Sequence, residues 1–179
     1  MKKKWVITLM IAVGASLLAS YHLSEMVKDR KHDKAIEDAY EFFEAERDEV
    51  YRLSEAIKQV IETPNAENYR NAYEAAVKTE AVCRQTKGKI ENSVKIGGDA
   101  AASTYYSTFY RDIKAGLNDQ CGTEDLQLIH QLLEKIISYY DGNSVPRTVK
   151  EKTNVMLKFH QSLLLIDEEL KLCLTIFTD

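Results

Sequence analysis

Apolar residues recur at helical spacing over most of the chain. Ile36, Phe43, Val50 and Ile57 stand seven apart, and Ala39, Leu53 and Val60 fill most of the intervening positions, with Glu46 the exception. A 3–4 alternation of this kind is the stripe of a bundle or coiled-coil helix. It predicts a helix ending near Glu62, where Thr63-Pro64-Asn65 supplies a break and Pro suits the first turn of whatever follows. The next helix is expected over about 65–95, with a stripe of Tyr69, Tyr73, Ala76, Glu80, Cys83, Lys87, Ile90 and Val94. Gly97-Gly98 should stop it, and Asp99 is placed to cap a third helix running to about Ala115, with Ala100, Ala101, Tyr105, Phe109 and Ile113 along one side. Gly116 and Gly122 then bracket an expected polar connection. Thr123 is expected to cap a fourth helix with Leu126, Ile129, Leu133, Ile136, Ile137 and Tyr140 on its apolar face.

After a turn at residues 141–144, Pro146 opens the last expected helix. Val149, Met156, Leu163, Leu170 and Phe177 recur at sevens, with Phe159, Ile166 and Cys173 interleaved. Leu157, Leu164, Leu165 and Leu172 lie off that seam, so this helix is expected either at the centre of the bundle or in contact with a second chain. No helix of this set can bury its stripe alone, and short connections make sequential neighbours antiparallel. The fold class that follows is all-α, an antiparallel bundle of four to five helices.

The first residues break the pattern. Met1-Lys2-Lys3-Lys4 precedes a run from Trp5 to Ser24 that carries no charge. A basic start followed by an apolar stretch is the mark of an export signal, and the run is just long enough to cross a bilayer, which takes about 20 residues. Trp5 and Tyr21 sit where interfacial aromatics belong, and the lysines would stay in the cytoplasm. The expected organisation is therefore a signal-anchor helix over residues 1–23 and an extracytoplasmic helical bundle over 24–179. The protein would cross the inner membrane once through residues 5–23, with its N-terminus inside and its body in the periplasm or outside. The alternative is secretion after signal cleavage. No second span is expected, because Asp167, Glu168, Glu169 and Lys171 interrupt the apolar C-terminal stretch.

Composition narrows this picture. Seven Gly and two Pro in 179 residues are too few for the many tight turns of a sandwich or barrel. A net charge of −4 argues against nucleic acid as the main partner, since phosphate binding needs a basic face. Three cysteines permit one bridge and one thiol. Cys121 lies in a connection and can adapt to a partner, so Cys121–Cys173 is the favoured candidate disulfide, ahead of Cys121–Cys83.

No catalytic, cofactor-binding or metal-ligating constellation is recognisable. The four histidines, His22, His32, His130 and His160, occur in no HExxH or ExxH spacing, and there is no CxxC, GxSxG, SxxK or phosphate-binding glycine loop. His130 and His160 fall on neighbouring helices and could meet across the bundle. The candidate partner surfaces are the tyrosine strip of Tyr105, Tyr106 and Tyr110, the acidic face containing Glu41, Glu44 and Asp48, and the off-seam Leu165 and Leu172. Tyrosine suits interfaces because it joins apolar area to a hydroxyl. The expected function is that of a non-catalytic, membrane-anchored interaction or scaffold protein that binds a protein partner or a second copy of itself. An exported sensory or small-ligand-binding module is the alternative, followed by an enzyme of unrecognised type.

Overall fold

The computed structural model describes residues 2–93, 108–142, 145–166 and 169, and side chains from Ser16 onward apart from residues 17 and 19. Among the described residues there are five helices and no strand: α1 (Lys2–Glu62), α2 (Ala66–Ser93), α3 (Tyr110–Asn118), α4 (Thr123–Asp141) and α5 (Val149–Leu164). The chain divides into two compact units, Met1–Ala35 and Ile36–Asp179. The first unit is helical throughout its described length, and its large apolar side chains at Leu18, Tyr21, Leu23, Met26 and Val27 are exposed. Among the described residues no helix is long and apolar enough to cross a membrane. The side chains of residues 5–15, on which the expected span rests, lie outside the described set.

The second unit is built around the heptad face of α1. Ile36, Ala39, Phe43, Val50, Leu53, Ile57 and Val60 are all buried, as their spacing predicts, and Glu46 is buried with them. α2 docks on this face through hydroxyls. Thr79 Oγ1 lies 3.1 Å from the carbonyl oxygen of Glu49, and Thr86 Oγ1 lies 3.1 Å from that of Phe42. Each also reaches the carbonyl four residues back on its own helix, Ala75 and Val82 respectively. A single hydroxyl proton is thus shared between two helices. The partners step seven residues forward on α2 and seven back on α1, so the pair runs antiparallel in register.

α4 also runs antiparallel to α1, contributing a buried aliphatic face of Leu126, Ile129, Leu132, Leu133, Ile136 and Ile137. α5 runs parallel to α1, as Lys152 pairs with Glu37 and Phe159 meets Phe43 edge-on at 5.0 Å. Tyr140 of α4 stacks on the same Phe159 at 4.1 Å, so one aromatic cluster joins α1, α4 and α5. α3 packs on α2, where the buried Glu80 carboxylate takes Lys114 of α3 and Arg84 of its own helix as counter-ions. The helix with neighbours on three sides is therefore α1, and not the last helix as its leucine content suggests. On α5, Leu164 and Leu165 are exposed.

One helix face and two boundaries differ from the sequence expectation. The seam of α2 is Ala72, Ala76, Thr79, Glu80, Cys83, Thr86, Ile90 and Ser93, while Tyr73 is exposed and Lys87 half-buried. Satisfied threonine hydroxyls pack as small apolar groups and let two helix backbones approach, which tyrosine or lysine on that face would prevent. Gly116 does not end α3. It is buried within the helix, which continues to Asn118. The stop is a Schellman turn in which Gln120 N–H bonds Leu117 O and Cys121 N–H bonds Gly116 O. Finally, α5 begins not at Pro146 but at Thr148, whose side chain accepts from Glu151 N–H while the Glu151 carboxylate accepts from Thr148 N–H. Residues 99–107 of the expected third helix and 170–179 of the last lie outside the described residues.

Two measurements test this account. Gln120 holds φ at +54° in the turn where glycine is usual, so Gln120→Gly should stabilise the bundle by about 0.5–1 kcal/mol in urea denaturation. An unchanged or lowered midpoint would contradict the Schellman assignment. His160 is buried, and burial pushes its pKa down to about 4, against about 6.5 in an unfolded chain. The unfolded state therefore binds this proton first. The stability contributed by the neutral buried ring is complete above about pH 6.5 and is lost as pH falls toward 4, amounting to about 3 kcal/mol. In His160→Leu the urea midpoint should fall less steeply over that window.

Candidate functional site

A recess lined by polar and charged side chains lies between α1 and α4 in the second unit. On α1, Tyr51, Ser54, Glu55 and Lys58 are spaced three and four apart and so share a strip of the helix beside its buried seam, with Arg52 at the edge. On α4, His130 and Glu134 stand one turn apart on a common face. The start of that helix is favoured by Glu124 and Asp125 in its first turn, where carboxylates complement the helix dipole. Together these seven side chains line an open groove of about 490 Å3.

Two hydroxyl-to-carboxylate bonds cross it. The buried Ser54 donates from Oγ to Glu134 Oε1 at 2.7 Å, and the same Oγ lies 3.0 Å from His130 Nδ1. At the groove's end Tyr51 donates its hydroxyl proton to Asp141 Oδ2. That accepting carboxylate, aided by burial, pushes the Tyr51 phenol up to about 12. Deeper in the same interface, Tyr140 of α4 donates to the fully buried Glu46 of α1 at 2.6 Å. Glu46, the one break in the apolar pattern of α1, is thus accommodated by a phenol from the facing helix.

Serine, histidine and glutamate within hydrogen-bonding reach invite comparison with a catalytic triad. The geometry is different. In a triad the acid holds the far nitrogen of the imidazole while the near nitrogen takes the serine proton. Here Glu134 and His130 both converge on the serine oxygen. Ser54 also lies inside α1, where backbone N–H groups are committed to the helix, so no pair of them is aimed at a developing oxyanion. This trio is an interhelical clasp and lacks the parts of an acyl-transfer site. Among the described residues, no group of three His, Cys, Asp or Glu side chains is arranged to hold a metal ion.

The residues singled out from the sequence are dispersed. Cys121 is half-buried between α3 and α4, and its carbonyl accepts from Tyr69 Oη at 2.9 Å. Burial, then the nearby Asp125 carboxylate, push its thiol up to about 11. Cys173 lies outside the described residues, as do Tyr105, Tyr106 and Leu172; Cys83 is fully buried. Tyr110 is a correction: it is fully buried, edge-on to Phe109 at 5.2 Å, and offers nothing to a partner. Glu41 and Asp48 are exposed, the latter 3.2 Å from Arg47, and Glu44 is half-buried. Leu165 is 80% exposed. His130 bonds across to α1, and His160 is buried with its ring 5.7 Å from that of Phe159. The groove itself was not foreseen. Its available signal was a serine beside the α1 seam and a His-x-x-x-Glu pair on the matching edge of α4.

Comparison with known proteins adds no relative: no family model, curated protein or solved structure matches the chain.

The clasp predicts a modest energetic role. Ser54→Ala removes the bond to Glu134 and the contact with His130 Nδ1, but Glu134 is exposed and His130 half-buried, so both can bind water and the loss should be about 1–2 kcal/mol by urea denaturation. A loss near that of a core cavity, above about 3 kcal/mol, would mean that Ser54 acts mainly through packing.

Proposed function

We propose that this chain is a non-catalytic, membrane-anchored helical-bundle protein that works by holding a protein partner or a second copy of itself. Residues 5–23 serve as the anchor, and the bundle lies on the far side of the membrane. The observation that carries the reading is the exposure of Leu18, Tyr21 and Leu23 on a helix that contains the charge-free run from Trp5 to Ser24. Leu18 and Leu23 are 64% and 63% exposed. Large apolar side chains crowded this closely need a cover, and a bilayer matches both the length of the run and the basic residues before it. Within the bundle the buried Glu46 and Glu80 are both engaged by groups from other helices, which holds its helices together as one body. Exposed Leu164, Leu165, Glu41 and Asp48 are the surfaces offered to a partner.

A second reading, an exported ligand-binding module, is favoured by the polar groove between α1 and α4. The two are compatible in one molecule.

Fractionation of cells expressing the full chain tests the anchor. Full-mass protein should resist carbonate extraction from membranes, and a C-terminal alkaline phosphatase fusion should be active. Val13→Arg, which adds about 2.5–3.5 kcal/mol to insertion, should release the protein into the soluble fraction and silence the fusion. Carbonate-soluble wild-type protein of full mass would overturn the anchor. A mass shortened by residues 1–19 would replace it with secretion.

A further inference from the structure

The α1–α4 groove carries one chemical consequence beyond its role as a clasp. Ser54 has a single hydroxyl proton, and at 2.7 Å from Glu134 Oε1 that proton lies on the bond to the carboxylate, which when ionised can only accept. The contact between Ser54 Oγ and His130 Nδ1 at 3.0 Å must then run the other way, with Nδ1–H donating to the serine oxygen. The neutral imidazole is therefore fixed as its Nδ1–H tautomer, and Nε2 carries a lone pair. His130 is half-buried and lines the groove, and its Nε2 makes no hydrogen bond among the described residues.

The charges around it have a sign. Arg52 is committed to Glu49. Of the remaining lining groups, Glu55 and Glu134 are acidic and Lys58 is the one cation without an ion-pair partner among the described residues. Asp141 adds a further carboxylate at the Tyr51 end. An acceptor nitrogen beside two carboxylates suits a ligand that brings several N–H donors and a positive charge.

We propose that this groove is a binding site for a small molecule bearing a protonated primary amine, with His130 Nε2 and the Glu55 carboxylate as its acceptors. The Ser54–Glu134 pair is the positioning device that directs the single ring proton of the neutral imidazole to Nδ1. The inference does not depend on the anchored reading, because a soluble form of the same bundle would carry the same groove.

The test uses full-length, 15N-labelled protein in detergent micelles at about pH 8, above the ordinary imidazole range. Long-range 1H–15N correlations report which ring nitrogen bears the proton. His130 should appear as the Nδ1–H form, and Ser54→Ala should move it toward the Nε2–H form. Titration with 1,4-diaminobutane should shift the Nε2 resonance saturably. Glu55→Gln, an exposed position whose replacement leaves the clasp untouched, should weaken the response about tenfold, the equivalent of one charge-assisted bond. An Nε2–H tautomer in the wild-type protein would overturn the proposal. So would the absence of a saturable shift, or an equal shift with 1,4-butanediol or inorganic phosphate.

Discussion

The bundle depends on one demand: a single face of α1, between residues 36 and 60, has to be covered from three sides at once. Each neighbour meets it with a different kind of surface. α2 brings threonines that reach backbone carbonyls of α1 at 3.1 Å, α4 brings aliphatic side chains, and α5 brings Phe159 against Phe43. Helices can pack closely on several sides of a partner only if some of the contact residues are small. The hydroxyl contacts set how closely α2 approaches, but a helix presents a carbonyl on the same strip at every turn, so axial register has to be selected by other groups.

The charged groups inside the core supply that selection. Glu46 on α1 and Glu80 on α2 are buried carboxylates, and each is engaged from another helix, by Tyr140 and Lys114. Burying such groups adds little net stability, since desolvation offsets much of the attraction. Misplacing them is costly, because a carboxylate left buried without its partner loses several kcal/mol. They therefore select among registers that the apolar contacts alone would allow. The three hydroxyl-to-carboxylate bonds between α1 and α4, from Tyr140, Tyr51 and Ser54, impose a similar condition at three heights along one interface.

This division explains what could be read from the residues in order. The seams of α1 and α4 were legible because nearly all their buried positions are apolar at 3–4 spacing, Glu46 being the exception on α1. The face of α2 was misassigned by part of a turn, since Tyr69 and Tyr73 outweigh Ala72, Thr79 and Thr86 in any count of apolar bulk. What buries the threonines is a carbonyl on a different helix, 30 and 44 residues away, and no local window contains it. Gly116 misled for a related reason: glycine marks a helix end only when the conformation requires it, and here Gln120 takes the left-handed position instead. The groove was the least legible feature. Ser54 is separated from His130 by 76 residues and from Glu134 by 80, and each alone is an ordinary residue at the edge of a helical stripe.

The phase of the α1 stripe supplies the last step. Continued backward by sevens from Ile36, the seam would fall on Asp29 and His22; continued from Ala39, it would fall on His32 and Glu25. These residues are polar, and the first three are exposed, so the bundle-facing stripe stops at the boundary of the second unit. The apolar residues on the earlier side, Leu18, Tyr21, Leu23, Met26 and Val27, do not form a stripe at all. At 3.6 residues per turn they spread around the whole circumference. A helix that is apolar on one side is covered by neighbouring helices, while one that is apolar all round needs an apolar surrounding. Residues 18–27 interleave their five large apolar side chains with Ser20, His22, Ser24 and Glu25, so α1 changes from a mixed circumference before Ala35 to a one-sided apolar stripe from Ile36 onward, and it is the stripe that the neighbouring helices of the second unit bury.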